Sequence, residues 1–298
     1  MAITARPYET QDDLRRMQSL QQELWRLEGP RVLTHVGDLA WGATMHTGRE
    51  EEWERRLWLD GDRCVAWAWF RRPAALDYDL HPDHLHGDLH GELLDWFESV
   101  AEAEVPRTTF ALEPDDERIP MLQERGFAHT AGSASYVYYV YELDGSEAVR
   151  ELPEGFRLRT VDPARDLHAR VEVHRAAWTN SRVSEESYRN VMQAWPYRAD
   201  LDCVVEAPDG SFAASVLCWY DDENRVGELE PVGTHRDHRR RGFAAAACQY
   251  ALRRLREEGA SHAIVYAGGR VEDEPARSLY ETVGFRQHSR VIEFRKAA

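Results

Sequence analysis

The chain has 298 residues, 43% of them hydrophobic, which is enough for one large domain or two of ordinary size. Its formal charge of -16 weighs against a nucleic-acid partner, because phosphate backbones are bound by extended basic surfaces and this chain has only local ones. There is no run of 18 apolar residues and no apolar core near the N-terminus MAITARPYETQDDL, so the expectation is a cytoplasmic protein without a membrane span.

In chain order, Ile3 to Arg6 precedes a polar turn and a helix from Gln11 to Leu27. Strands at Arg56 to Leu59 and Arg63 to Phe70 flank the turn at Asp60, Gly61 and Asp62. A further strand, a helix from Leu89 to Ala103, a strand from Arg107 to Leu112 and a short helix lead to Gly126 and Phe127. After a joint near Asp144 to Gly155 the order begins again. Phe156 to Arg159 precedes a helix from Arg165 to Trp178, and strands near Asp202 to Glu206 and Phe212 to Trp219 flank a hairpin turn at Pro208, Asp209 and Gly210. A strand carrying Glu228 and Glu230, a helix from Gly242 to Glu258, a strand from His262 to Ala267 and a short helix opened by Pro275 lead to Gly284 and Phe285. The halves share H-x-D-H, at His81 to His84 and His235 to His238, an offset of 154; the Gly-Phe pairs lie 158 apart. The reading is an α/β protein of two tandem units, residues 1–145 and 155–298, each a twisted mixed β-sheet flanked by helices.

The stretch from Gly227 to Glu258 has the order of an anion cradle: strand, basic turn, small residues, helix. The first turn of a helix presents backbone N–H groups without intrahelical partners at the positive end of the macrodipole. Gly242 and Ala244 leave the approach open, and Arg236, Arg239, Arg240 and Arg241 add donors suited to phosphate oxygens.

Arg239-Arg240-Arg241-Gly242-Phe243-Ala244 resembles the acyl-CoA pyrophosphate motif Q/R-x-x-G-x-G/A of the GNAT N-acetyltransferase superfamily. Ala276 to Phe285 is similar to its later A-x-x-L-Y-x-x-x-G-F element. The resemblance is strong from Glu228 to Phe285, extends more thinly back to Phe156, and in its two-unit layout is similar to the mycothiol synthases. It implies acetyl-CoA as co-substrate, no metal, pantetheine pairing along Val232, Gly233 and Thr234, and an oxyanion-binding N–H near Val232. It implies Glu228, ahead of Glu230, as general base and Tyr280 as general acid for the leaving thiolate. Asp273 stands where many members carry an asparagine near pantetheine, and is also a candidate helix cap. The expected activity is N-acetylation of a primary amine of a small molecule, of antibiotic, amino-sugar or thiol-precursor type, by direct attack in a ternary complex. A non-catalytic acyl-CoA sensor and a protein or peptide acetyltransferase are the alternatives, and a homodimer is compatible with the sequence.

The first unit serves as an internal control. At the 154 offset Gly242 becomes Asp88, Arg239 Leu85, Ala244 His90, Glu228 Ala74 and Glu230 Leu76, and from the Gly-Phe pair Tyr280 becomes Leu122. An aspartate at a helix start meets the N–H groups a phosphate would use. The first unit is therefore expected to keep the fold without acyl-CoA binding, and to shape the acceptor pocket or the interface. Lys and Arg against Asp and Glu number 15 to 29 over residues 1–150 and 22 to 24 over 151–298, so the acidic excess lies in the first half. That acidity either suits a cationic acceptor or merely keeps the surface solvated. His235 and His238 recur as His81 and His84 and read as capping residues. Cys64, Cys203, Cys218 and Cys248 lack metal spacing and read as buried thiols. Trp178, Trp195, Tyr197, Trp219 and Tyr220 either line the acceptor side or pack the core. One lysine against 36 arginines, with abundant alanine, suggests a GC-rich bacterial source.

Overall fold

The computed structural model describes residues 3–129 and 134–298. The first half comprises β1 (Thr4–Pro7), α1 (Gln11–Glu28), α2 (Val36–Met45), β2 (Trp53–Asp60), β3 (Arg63–Arg71), β4 (Ala75–Leu80), α3 (Asp88–Val100), β5 (Arg107–Leu112), α4 (Arg118–Glu124) and β6 (Tyr136–Glu142). The second comprises β7 (Arg157–Thr160), α5 (Leu167–Ala177), α6 (Glu185–Val191), β8 (Asp202–Glu206), β9 (Phe212–Asp221), β10 (Val226–Thr234), α7 (Phe243–Glu257), β11 (His262–Gly268), α8 (Glu274–Val283) and β12 (Arg286–Lys296). Local signals set the ends of these helices. Thr10 and Asp13 form a capping box for α1, and α8 carries Pro275 in its first turn and stops at Gly284, whose φ of +112° only glycine adopts without strain.

All twelve strands join one sheet in the order β1-β2-β3-β4-β5-β12-β6-β11-β10-β9-β8-β7. The division at residues 145–155 separates two stretches of sequence, but the sheet crosses it. The last strand of the first half, β6, pairs antiparallel with β11, and the last strand of the chain, β12, pairs antiparallel with β5 and with β6. Each half therefore lends its final strand to the seam. Tyr136–Glu142 alternates tyrosine and valine, a strong strand composition, yet only the assembled sheet decides that its partner is β11.

Helices cover both faces. On one face α7 and α8 pack over the second half's strands through Phe243, Cys248, Leu252, Leu255, Tyr280 and Val283. On the other, Ala40 and Trp41 of α2 share a core with Val171, Tyr188, Val191, Leu217 and Trp219, so a first-half helix seals the second half's sheet. Gly37 makes this seating close, because a methyl group there would run into the indole of Trp219. Polar ties reinforce the contact: Gln18 Nε2 donates to Trp195 O at 2.9 Å, Gln22 Nε2 to Asp221 Oδ1 at 2.7 Å, and Tyr266 Oη to Leu33 O at 2.8 Å. The four cysteines are free and buried. Among the described residues no helix is long and apolar enough to cross a membrane.

Candidate active site

β10 runs beside β9 along its whole length, but it pairs with parallel β11 only at Val226, Gly227 and Glu228. Beyond Glu228 the two strands part, and among the described residues the edge of β10 facing β11 has no strand partner through Val232, Gly233 and Thr234. A bulge lies just past the parting, between Leu229 and Val232, at Glu230 and Pro231. Proline has no N–H to give the ladder, so a bulge is where a strand accommodates it.

Glu228 and its neighbours divide between the two faces of the sheet. A side chain at Gly227 would meet Leu255 of α7 at 2.5 Å, so Gly227 faces α7 and Glu228 points the other way, toward α2. There Glu228 is 1% exposed, and its Oε2 lies 3.3 Å from Nδ1 of His35, a nitrogen that already accepts the Gly37 N–H at 3.1 Å. Carboxyl oxygens of Glu228, Glu230 and Asp38 all lie within 4.8 Å of one another. Asp38 belongs to α2 and is fixed by the N-terminal box of that helix, where its Oδ2 accepts the His35 N–H at 2.7 Å. Burial, followed by the adjacent Asp38 charge, pushes both Glu228 and Glu230 well above the ordinary carboxylate range; burial likewise raises Asp38 and lowers His35, which is held neutral.

Tyr280 sits under α7 on the opposite face, 6% exposed, with ring centroids 6.2 Å from Tyr139 and 5.9 Å from Phe285. Burial raises its hydroxyl well above the ordinary phenol value, with smaller contributions from Cys248 and Glu230. Glu230 thus lies at the gap, in the field of Asp38 on one face and of Tyr280 on the other.

The loop before α7 turns through two left-handed residues. Gly242 is the residue before α7, with φ +80°, and Arg240 is also left-handed at φ +63°. A Cβ at Gly242 would strike the guanidinium of Arg150, which reaches in from the segment joining the halves. Two arginines of the loop are engaged with the protein: Arg239 Nη2 donates to Ala177 O at 2.8 Å, and Arg241 lies over the rings of Phe156 and Phe243 at 4.9 and 4.8 Å. Phe243 is buried and Ala244 half-buried at the start of α7. Asp273 precedes α8 without capping it; its Oδ2 accepts the Arg270 N–H at 3.2 Å and it packs against Gly268. His235 and His81 make the same turn in each half, their side chains accepting the N–H of Asp237 and Asp83. Trp219 and Tyr197 are core, whereas Trp178 is 37% exposed and stands against Gly233, where a Cβ would lie 2.6 Å from its ring.

The first half repeats the parting, since β4 pairs with β5 only at Ala75 and Leu76. The residue equivalences expected at a uniform 154 offset, among them Gly242 with Asp88, Glu228 with Ala74 and Glu230 with Leu76, are corrected here. The residue before α3 is Gly87, so Gly87 matches Gly242 and Asp88 takes the place of Phe243; Asp88 makes no capping hydrogen bond. Leu76 pairs with Thr109 as Glu228 pairs with Ile264, so Leu76, not Ala74, matches Glu228. The bulge in β10 adds residues that β4 lacks, which breaks a constant offset. What fills the first-half gap is Arg118, at the place of Ala276 counted back from the Gly-Phe pair: it donates to Tyr78 O at 3.3 Å and to Asp79 Oδ1 at 2.8 Å. Leu122, in the place of Tyr280, is fully buried. Of the site residues, sequence reasoning missed Asp38, His35 and Arg118. The H-x-x-D box at His35 was the available signal for the first two.

Residues 167–285 match the Acetyltransferase (GNAT) family. A Mycothiol acetyltransferase of Saccharomonospora viridis is 29% identical over 147 residues, 45% of this chain and 47% of that protein, so the match spans about half the length of the curated relative. A GCN5-related N-acetyltransferase from Sphaerobacter thermophilus shares the fold with a TM-score of 0.63 at 21% identity, covering 99% of this chain and 95% of the other. A tandem GNAT protein from the clavulanic acid biosynthesis pathway does so with a TM-score of 0.66 at 14% identity, covering 99% and 98%. Residues 167–285 are thus similar to the GNAT family, and the whole chain shares its fold with these GNAT structures. The architecture is that of a mixed α/β protein with one large sheet flanked by helices, the fold shared with the tandem GNAT structure over nearly its whole length.

Proposed function

We propose that the chain is an acetyl-CoA-dependent N-acetyltransferase acting on the primary amine of a small molecule by direct attack in a ternary complex. The observation that carries this reading is the parting of β10 from β11 directly after a buried glutamate. It leaves a strand edge along Val232 to Thr234 that pantetheine can extend, ending at the Gly242 turn where the α7 N–H groups await a diphosphate. The thioester then enters from the α7 and α8 face, and the amine from the α2 face.

Glu228 takes a proton from the arriving ammonium, and its raised proton affinity brings it closer to the range in which a base can do so at neutral pH. The freed nitrogen lone pair attacks the acetyl carbon, an N–H near Val232 receives the developing oxyanion, the carbon–sulfur bond breaks as Tyr280 donates its proton to the thiolate, and the second proton lost by the acetylated nitrogen restores the Tyr280 hydroxyl while Glu228 gives its proton to solvent. The products are an N-acetyl amine and CoA, with one net proton released. The identity shared with a Mycothiol acetyltransferase favours a thiol-precursor amine over an antibiotic. The test is thiol release from acetyl-CoA with a panel of amino sugars, diamines and cysteinyl amines. Amine-dependent release is expected; CoA binding without release for any amine would replace this reading with that of an acyl-CoA sensor.

A further inference from the structure

The two halves meet at three carboxyl groups that lack a counter-ion. Asp38 comes from the first half, Glu228 and Glu230 from the second, and their oxygens lie within 4.8 Å of one another. Among the described residues no lysine or arginine is ion-paired with any of the three; Asp38 hydrogen-bonds to Glu228 and to Glu230, and Glu228 is 1% exposed. Elsewhere the fold does not leave buried carboxylates bare: Asp13, Asp79 and Asp202 are held by Arg6, Arg118 and Arg170 at 2.5, 2.8 and 2.8 Å. Without a counter-ion the buried cluster holds protons above the ordinary carboxylate range, and an arriving cation is the partner that lets it ionise.

Number and spacing choose the cation. A primary ammonium carries three N–H donors in tetrahedral array, and with N···O of about 2.8 Å their acceptors stand about 4.6 Å apart. Three carboxyl groups within 4.8 Å supply one oxygen to each donor. A hard divalent ion asks for roughly six oxygens or more. The surroundings are also aromatic: Tyr138 and Tyr266 stack at 4.6 Å beside the cluster, and the buried Tyr138 hydroxyl has no partner.

We propose that Asp38 joins Glu228 and Glu230 to bind the protonated primary amine of the acceptor, which makes the first half a working part of the catalytic centre and the acceptor an alkylammonium compound. The step from bound cation to acceptor rests on the acetyl-transfer reading; the binding itself is measured without acetyl-CoA. Thermal melting of the full chain is followed in ethylammonium, tetramethylammonium, sodium and magnesium chlorides at equal ionic strength. Ethylammonium is expected to raise the native midpoint by about 3 °C over tetramethylammonium at tenfold its dissociation constant. Asp38→Asn and, as a second variant, Glu230→Gln should lose that increment while melting in sodium chloride at or above the native temperature, because each removes a repelling charge; a merely structural Asp38 would not behave so. Equal stabilisation by tetramethylammonium, preferential stabilisation by magnesium, or an unchanged ethylammonium response in Asp38→Asn would overturn the proposal. Calorimetry with acetyl-CoA is run separately, and its failure would count against acetyl transfer while leaving the cation site standing.

Discussion

In the proposed reaction Glu228 is the side chain that takes the proton. It is buried on a strand, next to Asp38 and a neutral His35, so the folded chain holds its proton more tightly than the unfolded chain does. The sign of the linkage follows. A raised carboxyl contributes stability in full below the ordinary carboxylate value, about 4, and loses it as pH climbs toward the raised value. The native protein should therefore melt lower at mildly alkaline than at mildly acidic pH. Glu228→Gln, which keeps the neutral form, should flatten that slope and cost about 100-fold or more in turnover, with acetyl-CoA affinity little changed. An unaltered pH dependence of melting in this variant would show that Glu228 is ionised throughout.

At the scale of elements, α2 decides whether the site is assembled. Nothing in its own sequence says that it packs on the other half. Gly37 permits the approach to Trp219, and the box of His35 and Asp38 fixes the residue that faces Glu228. Gly37→Ala places a methyl group inside the Trp219 ring, an overpacking that should cost about 1–3 kcal/mol, and it should move Asp38 away from β10. The expected readout in a melting and activity comparison is a lower midpoint with a larger KM for the amine and little change in the KM for acetyl-CoA. Equal losses for both substrates would indicate general unfolding instead.

Over the whole molecule, one sheet carries two copies of a cleft, and they are treated differently. The second copy has a free β10 edge and a left-handed Gly242. In the first, Arg118 reaches into the gap and binds Tyr78 O and Asp79. Titration calorimetry should accordingly find one acetyl-CoA per chain. Gly242→Asp, which sets a side chain on a positive-φ residue and drives it into the Arg150 guanidinium, should abolish it. Two molecules bound to the native chain would refute the asymmetry.

Periodicity, turn chemistry and short motifs carry local information, and what they can determine was present in the chain itself. The repeat, most helices and hairpins, the Gly242 loop, the paired glutamates and Tyr280 each depend on neighbours a few residues away. The bulge at Glu230 and Pro231 has a local cause in a proline without an N–H, but the shift it imposes on the match between halves shows only in the paired strands. The strands β6 and β12 have partners more than a hundred residues distant, and their exchange across the seam is settled by which edges lie open once both units have formed. The meeting of Asp38 with Glu228, 190 positions apart in the chain, has the same origin. No spacing rule links them, and only the packing of α2 against Trp219 brings their charges together.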